Sequence, residues 1–232
     1  MAPEVSTARV KLRAASFTKA FTIPPYTTAE LVRSLGPGES AAFGVNDSGT
    51  VVGLSPKGNF IFSSGVTTYI NPFNEPRNDG YPTSVNGKGD VVGAALNTNI
   101  RHNGFLYRER DGSITNIGTF PGGRESIATS INDRGQIVGY GNYPYVGICT
   151  YPRPSHPCTK YDRYHAFLYD DGVMTDLNAL IPANSGWDLY EAFDINKRGQ
   201  IVGRGILNGK YRGYLLSPVS HDGDRRPELD DD

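Results

Sequence analysis

The decamer GVNDSGTVVG at 44–53 returns as SVNGKGDVVG at 84–93, SINDRGQIVG at 130–139 and DINKRGQIVG at 194–203. Each copy reads as a hairpin: Val or Ile ends one strand, Asn-x-x-Gly supplies residues that tolerate positive φ, and a β-branched pair opens the next strand. Asn46, Asn86, Asn132 and Asn196 are therefore turn formers first. A looser hairpin follows in NFIFSSGVTTYIN (59–71), GFLYRERDGSITNIG (104–118) and AFLYDDGVMTDLN (166–178). Each of these places an aromatic-apolar strand before a Gly turn and a Thr-bearing strand after it. One repeat is thus four strands. The repeat asparagines lie 40, 46 and 64 residues apart, so the first two spacings match a propeller blade and the third repeat carries an insertion.

This pattern predicts an all-β fold, a four-bladed β-propeller spanning 16–218, with repeats near 41–80, 81–126, 127–191 and 192–218. The last repeat supplies only three strands, in DIN, QIVGRGI and YRGYLLSP. The segment ASFTKAFTIPPY stands where a missing fourth strand would be, so residues 16–26 are expected to close the ring beside 211–217 and leave no open edge. A five-bladed propeller is the alternative, with residues 1–40 as a degenerate blade that lacks the turn motif. Residues 1–15 are expected to be flexible, and 219–232, ending in HDGDRRPELDDD, a disordered acidic tail.

Among 232 residues, 23 Lys and Arg face 24 Asp and Glu, a formal net charge of -1. That balance offers no basic excess to release counterions from a phosphate backbone, so nucleic acid is not an expected partner. No apolar run approaches a bilayer's thickness, and MAPEVSTARVKLRAASF lacks the apolar core of a signal peptide. A soluble monomer is expected. Cys149 and Cys158 lie in GICTYPRPSHPCTK, where a local disulfide, free thiols and a metal site are the three readings. A disulfide argues for an oxidising compartment, hence a secreted or cell-surface protein whose leader is not present in this chain.

The string YHAFLYDDGVMTDLNAL, followed one loop later by AFDINKRGQIVG, resembles the HAF repeat of predicted extracellular bacterial proteins, named for the triplet that here is His165, Ala166 and Phe167. The resemblance covers roughly 18–218. Elsewhere the triplet becomes Asn103-Gly104-Phe105 after His102, Gly58-Asn59-Phe60 and Arg212-Gly213-Tyr214, so the strand pattern persists where the histidine does not. The resemblance implies an exported repeat protein and brings no established activity.

In a propeller the loops feeding each first strand surround one mouth of the channel. Glu39, Asp79 and Glu125 stand seven positions before their repeat asparagines, and Asp188 and Glu191 flank the fourth such position, Leu189. Convergence of Glu39, Asp79, Glu125 and Asp188 would suit a hard cation such as Ca²⁺. Glu39, Asp79, Glu125 and Glu191, assisted by His165, would instead serve as acid/base groups by raising one another's pKa. The plain alternative is that each carboxylate caps a loop amide or faces solvent. The insertion at 140–164 holds six tyrosines. Tyr143, Tyr145, Tyr151, Tyr161 and Tyr164, with Arg163 and the lone Trp187, are the candidate ligand contacts, since tyrosines give large contact area with a polar tip. No P-loop, HExxH or GxSxG is present. Two readings follow: an extracellular module binding a carbohydrate, peptide or protein ligand, or an enzyme of lyase, hydrolase or cyclase type at the same mouth.

Overall fold

The computed structural model describes residues 21–22, 30–31, 35, 38–74, 79–149, 156–160 and 163–219. The protein is all-β, and its strands form antiparallel sheets that succeed one another along the chain. Two short strands, β1 (Phe21–Thr22) and β2 (Glu30–Leu31), pair with each other. The first large sheet is β3 (Ala41–Val45), β4 (Val51–Ser55), β5 (Gly58–Ser63) and β6 (Val66–Ile70). The second is β7 (Gly80–Val85), β8 (Val91–Leu96), β9 (His102–Tyr107) and β10 (Ile114–Gly118). In the third, β11 (Ser126–Ile131) and β12 (Ile137–Asn142) continue into β15 (Tyr164–Asp170) and β16 (Val173–Asp176). Between them the insertion folds as its own hairpin, β13 (Tyr145–Cys149) with β14 (His156–Lys160). The fourth sheet has three strands, β17 (Trp187–Ile195), β18 (Ile201–Leu207) and β19 (Lys210–Leu216).

The decamer explains both the hairpin and the stacking. Asn86 Oδ1 accepts from the backbone N–H of Lys88 at 3.0 Å and of Asp90 at 2.9 Å, and Gly89 closes the turn at φ +86°, a conformation glycine adopts without penalty. The amide's other end reaches the next sheet. Asn46 Nδ2 donates to Asn86 O at 2.8 Å, Asn86 Nδ2 to Asn132 O at 3.2 Å, and Asn132 Nδ2 to Asn196 O at 3.1 Å. Asn196 Nδ2 turns instead to Gln200 Oε1 within its own turn.

Three residues before each asparagine the register slips at a bulge, at Phe43, Thr83, Thr129 and Phe193. The bulge aims Thr83 Oγ1 at Ala128 O, 2.8 Å away, and Thr129 Oγ1 at Ala192 O, 2.9 Å away, adding a second link between sheets. It also presses carbonyls against the glycine that ends the decamer. A β-carbon at Gly53, Gly93, Gly139 or Gly203 would lie 1.9–2.2 Å from the carbonyl oxygen of Ala41, Tyr81, Ile127 or Glu191.

Each core layer is shared by two successive sheets. Val52, Ile61 and Ile70 meet Val85, Val91 and Phe105; Val92, Leu106 and Ile117 meet Ile131, Ile137 and Phe167; Val138, Ala166 and Leu177 meet Leu189, Ile195 and Tyr214. Terminal sheets break the pattern. Val202 is 43% and Leu215 62% exposed, although their counterparts Val52, Val92 and Val138, and Ile61 and Leu106, are buried. On the first sheet Val45 is 67% exposed where Val85, Ile131 and Ile195 are buried, while Leu35 covers Val51 and Phe60.

The structure refines several expectations. The insertion is a hairpin over its described residues rather than a bare loop, because Tyr145-Val146-Gly147-Ile148 can pair with Pro157-Cys158-Thr159-Lys160. The first strand of the fourth sheet, β17, begins at Trp187 and absorbs a second bulge near Tyr190. Of the expected closing strand at 16–26, only Phe21 and Thr22 are described, and they pair with Leu31 and Glu30; its remaining residues, residues 1–15 and most of the 219–232 tail lie outside the described residues.

The double role of the turn asparagine gives a graded expectation. Asn86→Ala removes the turn cap and the inter-sheet bond together and lowers stability by about 2–3 kcal/mol, whereas Asn196→Ala removes a turn cap alone and costs about half that. Urea unfolding of both variants checks this; equal midpoints would show that the inter-sheet bond adds nothing.

Candidate functional site

Successive turns of an antiparallel sheet alternate between its two ends. The asparagine turns occupy one end, which places the β8–β9 turn, the 140–164 insertion and the β18–β19 turn at the other. Most sequence-predicted site residues gather at this second end.

His165 begins the buried part of β15, opposite Gly141. Its Nδ1 lies 2.7 Å from Asp176 Oδ2 and its Nε2 3.6 Å from Asp188 Oδ1, while Nε2 itself makes no hydrogen bond. The Tyr143 ring stacks on the imidazole at 4.1 Å with an interplanar angle of 13°, and Phe120 meets it edge-on. Asp176 is held by the short 3-10 turn Leu177–Leu180 that it caps, accepting from Asn178 N at 2.9 Å and Asn178 Nδ2 at 3.0 Å. Asn178 in turn clamps β17 through both backbone groups of Leu189. Asp188 completes the group by pairing with Arg163 at 2.6 Å. An imidazole between two carboxylates can store a proton and hand it on.

Burial acts to raise the Asp176 carboxyl, yet the hydrogen bonds from His165 and Asn178 hold it below the ordinary carboxylate range. A depressed folded-state pKa contributes stability that is complete above about pH 4 and is lost as pH falls through the folded value. Asp176→Asn is therefore expected to lower the unfolding free energy at pH 7 by roughly 1–3 kcal/mol, with the gap to the parent closing as pH falls through the depressed folded value. Thermal unfolding followed from neutral pH into acid checks the sign; a gap that widens in acid would reverse it.

Beside this group runs a line of tyrosines crossing from the third sheet to the fourth. Tyr140 meets Tyr164 at 5.8 Å, Tyr164 meets Tyr190 at 5.8 Å and Tyr190 meets Tyr211 at 6.3 Å, all edge-on. The Arg204 guanidinium lies 5.8 Å from the Tyr190 ring centre and 5.5 Å from that of Tyr211, anchored to Glu191 through Nε–Oε2 at 2.7 Å and Nη2–Oε1 at 3.0 Å. Burial, with smaller contributions from Tyr81, Glu191 and Tyr164, pushes the Tyr140 hydroxyl up to about 12. The Tyr140 hydroxyl stays a protonated donor at neutral pH.

The expected ring of carboxylates does not assemble. Glu39 and Asp79 are exposed; Glu125 faces Arg101 at 3.5 Å, Asp188 faces Arg163 and Glu191 faces Arg204. Among the described residues no group of three or more His, Cys, Asp or Glu could hold a metal ion. An arginine beside each of Glu125, Asp188 and Glu191 removes the mutual repulsion on which raised carboxyl pKa values and cation affinity both depended. Trp187 packs edge-on against Tyr214 within the core layer of the third and fourth sheets. Tyr145 sits on β13 opposite Lys160, and Tyr151 and Tyr161 lie outside the described residues.

Asp176, Asn178, Tyr190, Arg204 and Tyr211 join the site without having been singled out in the sequence. A Tyr-Glu pair at 190–191 and the Arg at 204 were visible, but their meeting depends on β17–β18 register and on how two sheets stack. The chain matches no known family model, and no curated protein matches it in sequence.

Proposed function

We propose that the protein is an extracellular carbohydrate-binding module whose binding face is the tyrosine line Tyr140–Tyr164–Tyr190–Tyr211 with Arg204. The observation that carries this reading is the continuity of that line across two sheets, from half-buried Tyr140 to Tyr211, which is 60% exposed. Aromatic faces edged by polar hydroxyls suit sugar rings, which present C–H on one face and hydroxyls at the rim. Peptide or protein ligands are the competing occupants. Tyr190→Ala and Tyr211→Ala are each expected to weaken oligosaccharide binding at least about tenfold, roughly 1.4 kcal/mol, while leaving the unfolding midpoint within a few degrees. Glycan-array screening followed by calorimetric titration reads this. Undiminished binding by both variants would move the site elsewhere, and binding to peptides alone would replace the ligand class.

The HAF-repeat resemblance supports export, and a Cys149–Cys158 disulfide within the β13–β14 hairpin would accord with it. The register sets Gly147 opposite Cys158 and Cys149 opposite His156, so the cysteines occupy diagonal positions of one hairpin. Non-reducing peptide mass spectrometry is expected to show one linked peptide; two freely alkylated thiols would remove this support for an oxidising compartment.

The four sheets are further proposed to be blades of a closed propeller. Support comes from the terminal faces: the exposed Val202 and Leu215 of the fourth sheet and Val45 of the first are the positions that successive sheets elsewhere use to pack. In a closed ring Val202→Asp buries an unpaired charge and costs several kcal/mol. An unchanged unfolding midpoint would leave that face open.

One observation favours a second reading, catalysis. His165 is 8% exposed, lies between two carboxylates and leaves Nε2 without a hydrogen bond. An enzyme using it as acid/base would lose turnover of a bound saccharide in His165→Asn while retaining affinity.

A further inference from the structure

The β8–β9 connection is a fifth copy of the asparagine turn, hidden at the opposite end of the second sheet. Asn97 N donates to Arg101 O at 2.8 Å, Ile100 N donates to Asn97 O at 2.9 Å, and Asn97 Oδ1 accepts from Asn99 N at 2.8 Å and Arg101 N at 3.2 Å. The same four bonds close the turns at Asn46, Asn86, Asn132 and Asn196. Where those turns have glycine at positive φ, this one has Ile100 at φ +56°, 63% exposed. A β-branched residue held there is strained, a state retained where surrounding structure imposes it.

This turn forms one wall of a groove of about 350 Å³, large enough for one sugar ring, lined by Asn97, Asn99, Arg101 and Asn103 on one side and by Thr119, Gly123 and Arg124 on the other. No apolar side chain lines it. Because Asn97 Oδ1 is committed to backbone donors, its Nδ2 is the group that donates to Asn103 Oδ1. That fixes the Asn103 amide, in a residue only 4% exposed, and leaves its Nδ2 hydrogens for the groove it lines. Arg101 meets Glu125 only at 3.5 Å and is about half exposed, an arrangement weak enough for a bidentate ligand to replace. Thr119 Oγ1 donates to its own loop, to Phe120 O at 3.2 Å and Gly123 O at 3.3 Å, and so holds the second wall in shape. Glu125 O in turn accepts from Asn142 N, two residues from Tyr140, which joins the groove to the tyrosine line.

We propose that this groove is a carboxylate-binding subsite for a uronic acid residue, with Arg101 and Arg124 taking the carboxylate and the Asn97, Asn99 and Asn103 amides the ring hydroxyls. The proposal rests on the carbohydrate-binding reading and names the class of sugar. Amides held by hydrogen bonds, as those of Asn97 and Asn103 are, reject a partner that cannot satisfy them, and guanidinium groups distinguish a sugar acid from its neutral parent.

The test is two-dimensional NMR of the full chain, following the Asn103 side-chain amide and the Gly123 backbone amide during titration with galacturonate, galactose and acetate. Galacturonate is expected to shift both signals and to bind at least tenfold more tightly than galactose or acetate. Arg101→Gln and Arg124→Gln should each weaken galacturonate at least tenfold, and Glu125→Gln should tighten it, because a competing carboxylate has been removed. Equal responses to galacturonate and galactose overturn the subsite, as does acetate binding as tightly as galacturonate, which would mark a plain anion site. A galacturonate oligomer that shifts signals along the tyrosine line but not in the groove overturns the subsite and leaves the binding face standing. Groove signals that respond as expected while Tyr190→Ala leaves oligomer affinity unchanged sustain the subsite and overturn the tyrosine face.

Discussion

The side-chain amide of the repeat asparagine is the contact on which the remaining structure depends. Its oxygen closes a turn and its nitrogen bonds the next sheet's backbone, so a single residue sets both the hairpin geometry and the spacing between sheets. At Asn46, Asn86 and Asn132 the amide makes both sets of bonds only when two sheets meet at one register. The bulge three residues earlier adds to this at Thr83 and Thr129, whose hydroxyls cross to the following sheet. The close carbonyl contact it creates then excludes any side chain at the decamer's last glycine. Turn, bulge and glycine are therefore one device.

Because this device consumes the polar groups at one end of each sheet, variation collects at the other. There the second sheet carries a strained turn at Ile100, the third carries the β13–β14 hairpin, and the fourth presents Tyr190, Arg204 and Tyr211. Charges at this end are compensated in pairs rather than pooled. Arg101 with Glu125, Arg163 with Asp188 and Arg204 with Glu191 each neutralise locally, which keeps the end polar. His165 is the exception, since its two carboxylate neighbours come from different sheets.

Local sequence determined the elements of this protein. Asn-x-x-Gly between β-branched residues has one economical backbone solution, so the four hairpins, the second hairpin of three repeats and the position of the insertion were legible from residue type and spacing. The fifth turn at Asn97 was not, because Ile100 rather than a glycine occupies its positive-φ place. The glycine ending each decamer was legible as a repeat but not as a necessity. Its reason is a carbonyl pressed forward by a bulge on the neighbouring strand.

What only tertiary structure decided is which side chains meet across sheets. The shared offset of Glu39, Asp79 and Glu125 suggested convergence, but sequence spacing fixes position along a strand and says nothing about the arginine that a neighbouring strand or sheet supplies. Tyr190 and Tyr211 lie 21 residues apart in the chain and touch through β17–β18–β19 pairing; Asp176, Asp188 and His165 meet because Asn178 clamps β17 against the third sheet. Period and turn chemistry are local properties and can be read residue by residue, whereas a site assembled between sheets depends on register and stacking, which arise only when buried faces and amide links are satisfied together.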